Sequence, residues 1–182
     1  MAEKNLIADR RPGITRFGEW ASDNHTLLLF LVLMTGAALR IAAFFSLRDT
    51  IYYDSLLWDE KIYHDWASQL AAGTFSSDKV YDFAPFFAYV AAFLYKILSP
   101  EVVWIRLFNI VLGSVTCFWV YLLGKNLSGK QAGLAACVIV AVYEPFIFYS
   151  VVPLKTALSI FFFALFCVFL AEFVKKPHFG TV

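Results

Sequence analysis

Within the stretch Leu56–Gly73, LLWDEKIYHDWASQLAAG, three acids, one histidine and three aromatics fall within ten residues. A carboxylate beside apolar surface can act as a general base, because partial burial moves its pKa toward working pH. Asp59, Glu60 and Asp65 are the carboxylates on offer. Asp59 and Tyr63 are spaced i, i+4, so a helix puts them on one face. The simplest structural role for Asp59 is to begin that helix, where a negative charge stabilises the free amides and the dipole. For His64 and Asp65 it is a solvated face, and His64 has no second His or Cys at metal-ligand spacing. Asp82 precedes an FAP turn and reads as a turn or cap residue.

A helix over this stretch places Trp58, Ile62, Trp66 and Leu70 at i, i+4, i+8 and i+12, one apolar stripe. Tryptophans suit a helix lying at a membrane surface. Glu60, Lys61, His64, Asp65 and Gln69 are left on the wetter side, and Gly73 is placed to end the helix.

The rest of the chain explains why a membrane surface is near. Of its 182 residues, 60% are hydrophobic and 19% aromatic, against 16% charged. Soluble domains carry about a quarter charged residues, and here the apolar residues come in blocks that match the roughly 20 residues needed to cross a bilayer. The composition is that of an all-α integral membrane protein. A net charge of +1 excludes bulk attraction to nucleic acid. Cys117, Cys137 and Cys167 each lie inside an apolar block and read as small hydrophobes, with no disulfide framework or metal site. No residue set indicates a metal cofactor. The N-terminal segment is long, mixed in charge and followed by no cleavage signal, so the first apolar block is expected to remain as an anchor.

The first span is expected from about Thr26 to Leu47. An acid-rich stretch, Arg48–Asp82, holds seven acids against three bases. Apolar segments then follow at Phe83–Leu98, Trp104–Leu123, Leu134–Tyr149 and Leu154–Val174. The segment at 83–98 is short for a span. If it does not cross, the N-terminus, the Lys125–Lys130 turn and Lys175–Lys176 share one side with eight basic residues, as cytoplasmic flanks do. If it crosses, that bias disappears. The expectation is therefore about four spans. Residues 1–25 and 175–182 form cytoplasmic tails, and residues 26–174 the membrane domain. Residues 48–100 form a large outer loop, with 83–98 lying in the interface.

Ionisable residues within apolar segments are costly and tend to face a cavity or one another. Arg40 lies in the first span and Arg106 near the outer end of the second. Glu144 and Lys155 flank the outer end of the next hairpin. Snorkelling to the interface is the plain role for Arg106 and Lys155, and Glu144 is a partner for either.

The order of several loose motifs carries a resemblance. A span ending LRIAAFF is followed by WDEKIYHDWASQLAAG and YDFAPFFAYVAAFLYKI. After these come RLFNIVLGSVTCFWVYLLGKNLSGKQAGLAACVIVAVYEPFIFY and VVPLKTALSIFF. From about Thr26 to Leu170 this resembles the N-terminal region of bacterial GT-C-type glycosyltransferases. These belong to the family 39-like group that includes protein O-mannosyltransferases and the lipid A aminoarabinose transferase. The resemblance implies a first outer loop with juxtamembrane helices and a D-E-x-x-Y motif, matched by Asp59, Glu60 and Tyr63. The catalytic acid then falls on Asp59. Asp82, ahead of Pro85, takes the place of a second acid. Such enzymes run to several hundred residues, so the chain is expected to be a fragment or a truncated form.

The implied donor is a sugar on polyprenyl phosphate, whose tail lies in the bilayer. Attack by an acceptor hydroxyl or amine inverts the anomeric carbon and needs one carboxylate base. The leaving phosphate needs positive charge nearby, and Lys155, Arg106 and then Arg40 are the candidates. Glu60, Tyr63, Arg106 and Lys155 are thus the expected substrate-binding residues, in a multi-pass protein of the bacterial plasma membrane with no nucleic-acid partner. The competing reading is a non-catalytic scaffold or a transporter fragment. Transporters place binding groups at the midplane in paired halves, whereas the charges here gather at one interface.

Overall fold

A computed structural model gives the fold for Trp20 and residues 23–75 and 83–175, and every regular element among them is helical. In chain order these are α1 (His25–Arg48), α2 (Asp59–Ala72), α3 (Pro85–Ile97), α4 (Val102–Ser128), α5 (Lys130–Val142), α6 (Glu144–Val151) and α7 (Thr156–Lys175). Helices α1, α4 and α7 are long and apolar enough to cross a membrane, and α5 with α6 makes a fourth, bent candidate. This is the expected all-α membrane architecture. Its surface is apolar, with Leu27, Phe30, Met34, Phe163, Phe166 and Phe169 all exposed. Such a surface suits lipid, where a helix satisfies its own backbone groups and need hide only its polar ones. Helix α1 accordingly buries Gly36, Arg40 and Phe44 along one narrow stripe.

Helix α4 is the centre of the bundle, packing against α1, α5, α6 and α7. Its buried face carries Arg106, Asn109, Gly113 and Thr116 among apolar neighbours. This polar seam faces the interior because lipid would leave its donors unsatisfied.

The expected continuous segment Leu134–Tyr149 is in fact broken. Helices α5 and α6 meet at a 56° bend, where Tyr143 is extended and Pro145 occupies the first turn of α6. A proline has no N–H and its ring clashes with the carbonyl four residues back, here that of Ala141. The residue before a proline also resists helical geometry. The apolar run continues across the break, so hydropathy alone conceals it.

Helices α2 and α3 pack together beside the bundle. At 13 residues, α3 spans about 20 Å, short of a bilayer core. It buries Phe87, Ala88, Ala91 and Tyr95 against Tyr63 and Ala67 of α2, with Trp66, Leu70 and Ala71 at the edge. The stripe expected from Trp58 to Leu70 is therefore divided. Trp66 and Leu70 turn toward α3, while Trp58 precedes the helix and is 87% exposed at φ 41°. Gly73 ends α2 as expected, with φ 71°. The Gly73 and Thr74 amides donate to the carbonyls of Leu70 and Gln69, a closure that favours glycine at the left-handed position.

Candidate functional site

A cleft of about 660 Å³, including its open mouth, lies where α1 stops and α4 begins. Leu47 closes α1 on one side, and Tyr52, Ser55 and Leu57 come from the loop before α2. Glu60 enters from the first turn of α2, Arg106 from the second turn of α4, and Phe148, Val152 and Pro153 from the end of α6. The lining is mostly apolar, with one acid and one base, the make-up of a site that holds an amphipathic ligand and orients its polar end.

Arg106 is only 2% exposed. Its Nη2 donates to the Tyr53 carbonyl at 2.9 Å, and its guanidinium carbon stands 4.3 Å from the centroid of the Tyr53 ring. Its Nε has no hydrogen-bond partner among the described residues. The guanidinium senses Glu60 and Asp54 electrostatically, but neither forms an ion pair with it; Lys61–Asp65 is the ion pair among the described residues. A desolvated cation with no acid in contact suits an anionic ligand group.

Glu60 has its carboxyl pKa raised above 4.5, chiefly by burial, while the Leu57 amide and the Arg106 charge pull it back down. The Leu57 N–H donates to Glu60 Oε2 at 3.4 Å, a long bond that leaves the carboxylate largely free. Raised by burial and steadied by a nearby cation, it has the environment of a general base.

The other expected site residues lie elsewhere. Asp59 is exposed at the start of α2 and is not part of the cleft lining. Its place agrees with the helix-starting role, although no side-chain cap bond forms. Tyr63 is 1% exposed, its ring edge-on to Phe83 and Phe87 with centroids 6.1 and 5.0 Å away. The size and apolar body of the ring draw it into the α2–α3 core, so Asp59 and Tyr63 do not share a cavity. Lys155 is half-buried just before α7, away from the cleft lining. Glu144 is exposed at the start of α6 and pairs with neither Arg106 nor Lys155. Asp82 lies outside the described residues.

Sequence reasoning missed Tyr53, which seats Arg106 by both ring and carbonyl, and it missed the α6 contribution. The YYD run beside an acid-rich loop was the available signal for Tyr53. Nothing periodic marked Phe148 or Pro153.

Comparison with known proteins adds a family. The family described as dolichyl-phosphate-mannose-protein mannosyltransferase matches residues 82–181, more than half of the chain. That match covers α3 to α7 and Arg106, but not Glu60. No curated protein and no solved structure matches.

Proposed function

Since the chain belongs to the dolichyl-phosphate-mannose-protein mannosyltransferase family, a family of membrane glycosyltransferases, we propose that its cleft takes a sugar linked to polyprenyl phosphate. The sugar passes with inversion to an acceptor hydroxyl or amine. The observation that carries this reading is the meeting of Glu60 and an unpaired, buried Arg106 in one apolar cleft. Arg106 faces the donor phosphate and stabilises the charge that grows on it as the glycosidic bond breaks. The carboxylate takes the acceptor proton. No general acid is needed, because phosphate leaves as a stable anion, unlike the alcohol released by a glycosidase with its paired carboxyls.

The resemblance assigns the base to Asp59; the cleft favours its neighbour Glu60, whose carboxylate lines the site while Asp59 faces outward. In this reading Asp59 starts the helix and adds negative charge at the mouth. Asp82 is kept as an assisting acid, and Lys155 attracts anions from the flank. In this reading this end of the bundle faces the outer side, as the charge bias of the sequence supports, of a bacterial plasma membrane, as the resemblance implies, where a lipid-borne donor meets its acceptor. The bent α5–α6 segment is a feature shared with transporters, but family membership and the acid–base lining favour transfer.

The test is transfer from polyprenyl-phosphate sugars by the intact protein in membranes, with the anomeric configuration of the product determined. Glu60→Gln should lose about a hundredfold or more, as removal of a general base does, and Asp59→Asn far less. The opposite ranking moves the base to Asp59, and a retained configuration rejects the single-base mechanism.

A further inference from the structure

The bend between α5 and α6 leaves a backbone acceptor that the helix itself does not satisfy. Pro145 stands four residues after Ala141, where an N–H would ordinarily meet the Ala141 carbonyl. Arg40 of α1 reaches into this gap. It is 1% exposed, and its Nη1 donates to the Gly36 carbonyl at 2.9 Å and approaches the Ala141 carbonyl at 3.5 Å. Its Nε donates to Ser150 Oγ at 3.2 Å, and that hydroxyl donates to the Phe146 carbonyl at 2.7 Å. Among the described residues no carboxylate takes part.

Space for this arrangement comes from α4. A Cβ on Gly113 would collide with Ser150 Oγ and stand 2.9 Å from Arg40 Nε. One guanidinium thus ties the first span to both sides of a broken one. Helix α6 carries Phe148, and the turn after it carries Val152 and Pro153, all of which line the cleft. From the other side Asn109 Nδ2 donates to the Val152 and Leu154 carbonyls at 2.9 and 3.1 Å.

We infer that Arg40 is a positioning residue: by holding Ser150 and by lying against the carbonyl that Pro145 frees, it fixes α6 as a wall of the Glu60–Arg106 cleft. Arg40 itself is absent from the cleft lining, so it serves as a donor to backbone and hydroxyl oxygens and not as a ligand for phosphate. Its consequence for donor binding rests on the glycosyltransferase reading, whereas its hold on the wall does not.

The experiment separates the two. A cysteine replacing Val152, which is 5% exposed and lines the cleft, reports opening of the wall in a Cys167→Ser chain through its labelling rate with a water-soluble maleimide. Arg40→Met should raise that rate about tenfold, the factor carried by one net buried hydrogen bond. Arg40→Gln, which keeps a donor without the charge, should label more slowly than Arg40→Met. Pro145→Ala offers an N–H to Ala141 but does not replace the tie to Ser150, so Arg40→Met added to it should raise the rate by less than it does in the parent, against the additive behaviour of independent sites. Equal rates for parent and Arg40→Met, equal rates for Gln and Met, or full additivity with Pro145→Ala would each overturn the inference. Where transfer is measurable, Arg40→Gln should raise KM for the lipid-linked donor with kcat little changed; a fall in kcat alone would also overturn it. Absence of transfer in every variant, with the labelling pattern intact, would reject the transferase reading and leave the wall assignment standing.

Discussion

His64 Nδ1 and Tyr95 Oη lie 2.7 Å apart, joining α2 to α3 by a hydrogen bond. Burial lowers the His64 pKa below 6.5, with Asp65 pulling it up and Lys61 pushing it further down. Burial pushes the Tyr95 phenol above 10.0, against the opposing charge of Arg106. The folded pair therefore favours neutral His64 and protonated Tyr95. A lowered histidine pKa contributes stability that is complete above about 6.5 and declines as pH falls toward the folded value. A raised tyrosine pKa contributes stability that is complete below about 10 and is lost as pH rises through the folded value. Thermal unfolding in detergent should thus be flat between these limits and fall on either side. His64→Gln should flatten the acid limb and Tyr95→Phe the alkaline one; limbs unchanged in both variants would sink this account.

Transfer should require ionised Glu60, whose pKa burial has raised. The acid limb of kcat/KM is then expected above the 4.5 of an ordinary glutamate. Because the Arg106 charge lowers this pKa, Arg106→Met should move the limb to higher pH while also weakening donor binding. A limb that stays put after loss of Arg106 would mean that Glu60 is not the titrating group.

Tyr63→Phe discriminates between family motif and packing. The Tyr63 hydroxyl is buried without a partner among the described residues, and removing an unsatisfied polar group costs nothing or stabilises by about 1 kcal/mol. Stability should be kept or raised, and transfer should stay within about twofold, since the ring lies in the core and not in the cleft. A large loss of transfer with unchanged melting would restore Tyr63 to the substrate.

Gly113→Ala should destabilise the bundle by about 1–3 kcal/mol, the usual cost of overpacking, because the added methyl meets Ser150 and Arg40. Ser150→Ala in the same chain removes the colliding oxygen and should restore part of the loss in a thermal melt. No recovery would show that the collision lies elsewhere.

Much of the architecture was legible because lipid imposes a simple rule. Long apolar runs announce α1, α4 and α7, and Gly73 announces the end of α2. The break at Tyr143–Pro145 was visible as a proline, yet in an apolar average across Leu134–Tyr149 that one residue is outweighed by its hydrophobic neighbours. The partition of α2 was less legible, since Trp66 and Leu70 serve equally for a membrane surface or for a neighbouring helix. Only the presence of α3 decides between them. Arg106 was found because a charge in an apolar run is conspicuous. Its neighbour Tyr53 was not, because an irregular loop has no period to read. Choosing Glu60 over Asp59 needed the start of α2 to within one residue, a 100° rotation about the axis.

Tyr53 has one further consequence. Its carbonyl and ring together hold Arg106 in one rotamer. A free arginine loses up to about 2 kcal/mol of rotamer entropy when a ligand immobilises it. Here that ordering has been completed during folding, so an anion entering the cleft meets a charge already aimed, and its attraction is not spent on arranging the host.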